Sequence, residues 1–125
     1  MDAELMEKAR AGLQAWQDGN LAGLEELLDP DVELLWWEPG EWDCHGRDDV
    51  MDTLRERYEQ GFGAGELEFV DGGAHSIVVV AHPSAVGGPD WPEEVATVIE
   101  FRRDKVTRMQ DYRTREEALA AAAEF

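Results

Sequence analysis

One carboxylate of this chain lies where a proton-transfer residue could act. Asp111 comes late in a predicted strand, 107–113, which is the second strand of a hairpin whose first strand is 95–103. No surface turn requires an acid at that position. A carboxylate enclosed by apolar side chains is a stronger proton acceptor than one in water, provided that a partner fixes its orientation. This placement indicates a general acid or base; a salt bridge to Arg113 or Arg115 at the sheet edge is the alternative.

The turn of this hairpin decides which side chains accompany Asp111. A two-residue turn at Asp104 and Lys105 fits the polar break between the two β-rich runs. The register that follows places Glu100 opposite Met109, with both on the same sheet face as Asp111. If that face is the concave one, a pocket holds two acids within reach of each other. The sequence therefore predicts Glu100 and Met109 as substrate-binding residues beside Asp111.

Helical patterns precede the strands, and one more helix closes the chain. The first has apolar residues at helical spacing between 5 and 16, and a leucine-rich second helix follows Asn20 as its N-cap. Asp48 is the predicted cap of the third helix. The closing helix follows Thr114, with Glu117 three residues later as in a capping box. Strands are predicted at 32–37, 66–70, 75–82, 95–103 and 107–113.

This order of elements, with the composition, bounds the kind of protein. Helices followed by antiparallel strands predict an α+β fold, in which a curved sheet covers the helices and leaves a cone-shaped cavity. A chain of 125 residues with 43% apolar residues fits one domain, 1–125. The single cysteine, the absence of a signal-peptide pattern and the lack of a long apolar run predict a cytoplasmic protein. A net charge of −18 disfavours nucleic acid and membranes as partners.

Several short segments together resemble one family. They are Ala15-Trp16 with Gly19-Asn20, residues 29–32 (Asp-Pro-Asp-Val), His45-Gly46-Arg47, residues 104–106 (Asp-Lys-Val), Asp111-Tyr112 and residues 117–119 (Glu-Ala-Leu). In their order and spacing the chain resembles the nuclear transport factor 2-like (NTF2-like) superfamily, and in particular its SnoaL-like branch. That superfamily includes polyketide cyclases, ketosteroid isomerases and limonene-epoxide hydrolases. The resemblance implies a barrel-like curved antiparallel sheet around N-terminal helices, a hydrophobic pocket, no cofactor, and a homodimer that buries the outer sheet face.

The resemblance also nominates catalytic residues. Asp111 matches the position of the catalytic aspartate in the cyclases and epoxide hydrolases, and Glu38 lies close to the proton-shuttling aspartate of the isomerases. The two oxyanion donors of the isomerases fall near Gly12 and Thr97, which cannot supply strong hydrogen bonds to an enolate. The arginine and second aspartate of the epoxide hydrolases have no counterpart in 75–82. Steroid isomerisation and epoxide hydrolysis are therefore not expected.

Aromatic residues supply candidate walls for a pocket. Trp16, Trp37, Trp42 and Tyr58, together with Met109, would suit a flat aromatic or polycyclic ligand, whereas the alternative is that these side chains only fill a core. The three histidines lack the spacing of metal ligands, so no metal site is predicted.

Two hypotheses follow from the sequence. The first is a cofactor-free cyclase- or isomerase-type enzyme that acts on a small hydrophobic molecule, with Asp111 as the proton-handling residue, assisted by Glu38 or Glu100. The second is a non-catalytic small-molecule-binding protein or dimeric scaffold of the same fold.

Overall fold

The architecture is α+β, as the order of the sequence patterns predicts. The computed structural model describes residues 3–36, 40, 43–61, 66–73, 75–82 and 93–123. The helices are α1 (Ala3–Gln17), α2 (Leu21–Glu25), α3 (Arg47–Gln60) and α4 (Arg115–Ala122). The strands are β1 (Leu28–Leu35), β2 (Cys44–His45), β3 (Glu68–Asp71), β4 (Ser76–Ala81), β5 (Val95–Arg102) and β6 (Lys105–Tyr112).

The strands form one curved, unclosed six-stranded sheet in the order β2-β1-β6-β5-β4-β3. Its neighbouring strands are antiparallel except for β1 and β6, which run parallel. The curved antiparallel sheet expected from the sequence is confirmed, with this parallel pair as its one exception among the described strands. The N–H of Val106 donates to the carbonyl of Leu27 at 2.7 Å, and Leu28 pairs with Val106. The two strands therefore begin at the same end of the sheet and run in the same direction.

The predicted hairpin turn was wrong by one residue, and the predicted pairing beside the turn was therefore wrong by two. The turn lies at Arg103 and Asp104, with Arg102 paired to Lys105, rather than at Asp104 and Lys105. Arg103 adopts a positive φ of 60°, a conformation suited to the tight turns that join twisted antiparallel strands. An irregularity next to Glu100 then shifts the register again.

The observed register separates the two acids that the sequence placed together. Asp111 pairs with Thr97, and Met109 pairs with Ile99. Glu100 pairs with Arg108, one residue away from Met109, and therefore points to the opposite face. The prediction that Glu100 shares a sheet face with Asp111 was wrong, because side chains alternate along a strand and a one-residue slip exchanges the faces.

Apolar side chains cover both faces of the sheet. The inner face, which carries the paired row Leu34, Met109, Ile99 and Ile77, packs with apolar residues of α1, α2 and α3 in the larger core cluster. The outer face packs against α4 in a smaller cluster, which consists of Val78, Val80, Ala96, Val98, Ala118 and Ala122. Among the helices of the described residues, none combines the length and apolar composition of a membrane span.

Two of the three N-cap residues predicted from the sequence hold that position in the structure. Thr114 is the N-cap of α4, and its hydroxyl accepts a hydrogen bond from the N–H of Glu117 at 3.1 Å. Asn20 holds the N-cap position of α2 without a side-chain hydrogen bond. Asp48 is not a cap, because α3 begins one residue earlier, with Gly46 at the N-cap and a φ of 91°. Only glycine adopts this conformation at little cost.

The hydrogen bond of the Thr114 cap should contribute measurably to the free energy of unfolding. We expect Thr114→Ala to lower the free energy of unfolding by about 0.5–2 kcal/mol in urea denaturation, because the N–H of Glu117 loses its acceptor. Thr114→Ser is the matched control and should retain most of the stability. Equal stability of the Ala variant and the wild type would show that the cap does not anchor α4.

Candidate functional site

A cavity lies between the helices and the inner face of the sheet. Its volume is about 50 Å³, and its walls come from α1, α3 and strands β4 to β6 together with Leu67. Most of the lining side chains are apolar, among them Trp16, Leu54, Val95 and Met109. This cavity is smaller than the roughly 300–1,000 Å³ of common ligand pockets. Between the described residues it therefore has room for only part of a drug-sized molecule.

Trp16 fixes one wall of the cavity. Its indole Nε1 donates a hydrogen bond to the backbone carbonyl of Leu54 at 2.9 Å, which ties α1 to α3. The Trp16 side chain is buried and belongs to the larger core cluster as well as lining the cavity. The ring thus acts both as core and as wall, the two roles that the sequence left open.

A buried polar cluster adjoins the apolar walls. The Asp111 carboxylate is 1% exposed and accepts two hydrogen bonds from side chains. Nη2 of Arg57 donates to Oδ2 at 2.7 Å, and the Thr97 hydroxyl donates to Oδ1 at 2.6 Å. The short distances are those expected when a charged group takes part in the bond. The Arg57 side chain is itself only 11% exposed, so this ion pair is largely removed from water.

Arg57 is held by an aromatic ring as well as by Asp111. Its Cζ lies 5.2 Å from the centre of the Trp36 ring, within the range of a cation–π interaction. Trp36 follows directly after β1, whereas Arg57 lies in the last turn of α3. The guanidinium therefore connects α3 to β6 through Asp111 and to the end of β1 through Trp36.

The hydrogen-bond donors of the polar cluster face the cavity, whereas the Asp111 carboxylate does not. Arg57 and Thr97 line the cavity, whereas Asp111 is not among the lining residues that the structure describes. Each carboxylate oxygen already accepts a hydrogen bond. Because the carboxylate is 1% exposed and lies behind Arg57 and Thr97, a substrate proton can reach it only if one of these side chains moves. As it stands, the arrangement suits the binding of an acceptor group better than the removal of a proton.

The structure brings together some of the predicted site residues. Trp16 and Met109 line the cavity, and Asp111 lies directly behind it. Tyr58 is 39% exposed, and its hydroxyl lies near Gly19, outside the set of lining residues. Glu38, Trp37 and Trp42 lie outside the described residues.

Glu100 does not belong to this site. Its side chain lies on the outer face and forms an ion pair with Arg108, with Nε and Oε2 separated by 3.5 Å. Its predicted role beside Asp111 depended on the wrong hairpin register, because the observed register turns the side chain away from the cavity.

Sequence reasoning missed both partners of Asp111. Arg57 falls three residues after Leu54 and seven after Val50, so it continues the apolar stripe of α3. A basic residue in that stripe is a signal for a buried acid. Thr97 pairs with Asp111 in the structure, whereas the predicted register, with Glu100 opposite Met109, places Val98 opposite Asp111.

Other reactive groups in the described residues do not form a second site of this kind. Burial raises the pKa of the Cys44 thiol, although a contact of 3.1 Å with the Thr53 hydroxyl opposes the shift. This thiol stays protonated and is a poor nucleophile near neutral pH. No three His, Cys, Asp or Glu side chains within the described residues are placed to hold a metal ion.

Residues 9–109 match the SnoaL-like domain family. The chain belongs to this family, which lies within the NTF2-like superfamily. The match covers both the cavity walls and the Arg57–Thr97 side of the polar cluster. Among curated proteins, none matches the sequence.

Solved structures share the fold of this SnoaL-like protein at low sequence identity. An NTF2-like protein of unknown function from Burkholderia xenovorans is 22% identical with a TM-score of 0.67, and the match covers 86% of this chain and 80% of that one. A de novo designed protein with a curved β-sheet is 17% identical with a TM-score of 0.68 over 99% and 98% of the two chains. TerC, co-crystallised with polyporic acid, is 18% identical with a TM-score of 0.59 over 97% and 98%. These likenesses show the fold alone.

We expect the stability costs of mutating Arg57 and Asp111 in a mutant cycle to be non-additive, because the two side chains form an ion pair. Arg57→Met removes the cationic partner of a buried carboxylate and Asp111→Leu removes the anionic partner of a buried guanidinium, so each change should cost about 3–5 kcal/mol of unfolding free energy. The double variant should cost much less than the sum of the two, because neither charge remains. Chemical denaturation of the four proteins measures the coupling.

Arg55→Met is the matched control for this cycle. Arg55 lies on the same helix, its side chain is 54% exposed, and its ion pair with Asp52 is on the surface. We expect this change to alter stability by no more than about 0.5 kcal/mol. Additive costs for Arg57→Met and Asp111→Leu would contradict the view that the two charges stabilise each other.

Proposed function

We propose that this SnoaL-like protein binds a small, largely apolar molecule in the cavity between α1, α3 and the inner sheet face. The observation that supports this proposal is the contrast within the cavity wall. Among its described lining residues, Arg57 and Thr97 carry polar side-chain groups that bind Asp111, the Trp16 N–H donates to the Leu54 carbonyl, and the other walls are hydrocarbon or the Met109 thioether. Apolar walls with a few fixed polar groups are typical of small-molecule sites.

The dimensions of the cavity limit how a ligand fits. With about 50 Å³ between the described side chains, the site accepts one ring or a short hydrocarbon group, and the rest of a larger ligand must extend beyond these walls. An oxygen acceptor on that ligand would be placed near the Arg57 guanidinium. TerC was co-crystallised with polyporic acid. We take this compound as a first probe for the present chain, alongside single-ring aromatic ketones and acids.

Ligand-induced thermal stabilisation tests this proposal. A ligand that binds only the folded state at 100 times its Kd adds about 2.7 kcal/mol, which raises the Tm by several degrees in a chain of this size. We expect at least one probe to do so. Ala81→Leu places a larger side chain in the cavity wall and should abolish the shift.

Ala11→Leu is the matched control, because it adds the same side chain at an exposed position of α1. This variant should keep the full ligand-induced shift. No shift with any probe, or an equal shift in the Ala81→Leu variant, would contradict binding in this cavity.

A second function, proton transfer by Asp111, is favoured by one feature. The carboxylate is buried beside the cavity, and Thr97 and Arg57 hold both of its oxygens in fixed positions. A cofactor-free cyclase- or isomerase-type reaction needs such an oriented acid or base. A ligand group that displaced the Arg57 contact would give a substrate access to Oδ2. Glu38, the other predicted catalytic residue, remains a prediction.

Proton exchange separates catalysis from binding without knowledge of the natural substrate. If Asp111 removes protons, the wild type will speed the exchange of the acidic C–H protons of 2-tetralone for deuterium, followed by NMR in D₂O. Asp111→Asn should abolish the acceleration while retaining ligand-induced stabilisation. An exchange rate equal in both proteins would reject the enzyme and leave the binding protein.

We also propose that the chain forms a homodimer through the outer sheet face and acts in the cytoplasm. The first statement is supported by the resemblance to the NTF2-like superfamily, and the second by the composition.

A further inference from the structure

Four ionisable side chains, here called the charged row, form one row across the outer face of the sheet. His45 on β2 pairs with Glu33 on β1, Glu33 pairs with Arg108 on β6, and Arg108 pairs with Glu100 on β5. These positions are lateral neighbours, so their side chains project from the same face. The inner-face row that contains Leu34 lies one position away along the same strands. Basic and acidic residues alternate along the charged row, in the order His45, Glu33, Arg108, Glu100.

The row is accessible although its members are paired within the chain. The exposed fractions of the side chains are 69% for His45, 44% for Glu33, 32% for Arg108 and 30% for Glu100. His45 contacts Glu33 at 3.0 Å, and Arg108 contacts Glu100 at 3.5 Å. Helix α4 packs over the other part of this face, on the valines and alanine of the smaller core cluster. The charged row therefore lies on the part of the outer face that α4 leaves open.

Two copies of such a face can pack with aligned strands in two ways. Stacked sheets keep their strand directions within about 30° of each other, and a homodimer is related by a two-fold axis. If the axis lies along the row, each residue faces its own copy, so that Glu33 meets Glu33 and Arg108 meets Arg108. If the axis runs parallel to the strands between β1 and β6, the order of the row is reversed in the partner.

The reversed order makes the row complementary to itself. Glu33 then faces Arg108 of the partner subunit, and His45 faces Glu100 of the partner subunit. In the next row Leu35 lies beside Gln110, and both of these side chains are uncharged. On a chain with a net charge of −18, most surface patches would repel a second copy. This row combines both signs and so avoids that repulsion.

We propose that a second copy of this chain docks on the outer face with its two-fold axis parallel to the strands, between β1 and β6, and that the alternating row His45–Glu33–Arg108–Glu100 fixes this orientation. The inference rests on the homodimer proposed above and adds its geometry. The row acts as a specificity device: it admits one aligned packing and rejects the other by like-charge contacts.

Charge reversal tests the orientation by sedimentation velocity. Arg108→Glu should place two acids opposite each other at both symmetry-related contacts, and Glu33→Arg should place two basic groups there. Each variant alone is expected to raise the dimer dissociation constant at least about tenfold. An equimolar mixture of the two variants should form a heterodimer, because positions 33 and 108 are both acidic in one chain and both basic in the other.

Arg55→Glu and Glu59→Arg are the controls, since they change net charge by the same amounts at exposed positions of α3. Both should dimerise like the wild type. Thermal unfolding of each single variant checks that the monomer is still folded.

The outcomes separate this inference from the proposals on which it rests. If the wild type dimerises but neither reversal weakens it, the orientation is rejected and the dimer stands. That result is expected if each residue faces its own copy, because reversal then replaces one like-charge contact with another. A wild type that stays monomeric at about 100 µM rejects the dimer and its geometry together. Neither result bears on ligand binding, which the Ala81→Leu comparison decides.

Discussion

The arrangement of the inner face depends on one buried ion pair, Arg57 with Asp111. A carboxylate with 1% exposure cannot remain charged in an apolar core without strong partners, and it has two, the Arg57 guanidinium and the Thr97 hydroxyl. Because Arg57 projects from α3 and Asp111 from β6, the pair sets how that helix lies against the sheet. The cavity is the space left where these polar side chains meet the apolar packing of α1.

The same sheet carries different chemistry on its two faces. Alternation along β5 and β6 sends Thr97, Met109 and Asp111 inward, and it sends Glu100 and Arg108 outward. The inner set builds a site for a small molecule, whereas the outer set builds a charged row suited to a second copy. An irregularity of one residue near Glu100 therefore matters for both functions. It determines which acid lies behind the cavity and which lies in the interface.

Much of the fold follows from local patterns in the sequence. The helix–strand order, the Thr114 cap and the burial of Trp16 could be predicted because each depends on nearby residues. The likeness to a designed protein with a curved sheet agrees with this view, since a designed sequence reaches the same fold at 17% identity. The site was only half predictable. Asp111 stood out as an acid late in a strand. The pairing of Thr97 with Asp111 depended on the turn at Arg103 and on the irregularity next to Glu100, which composition does not specify, and Arg57 lies 54 residues away in sequence. Such non-local contacts leave only a weak trace, here a basic residue within an apolar stripe.

The most direct test of the account is an NMR measurement of the Arg57 side chain. A guanidinium bound to Asp111 and packed on Trp36 cannot rotate freely, so its Nη–H protons should give separate, slowly exchanging signals. A scalar coupling across the hydrogen bond from Nη2 of Arg57 to Cγ of Asp111 should be detectable, and both effects should disappear in Asp111→Leu, which has no acceptor. Averaged Nη–H signals in the wild type, identical to those of the variant, would contradict the claim that this ion pair organises the site.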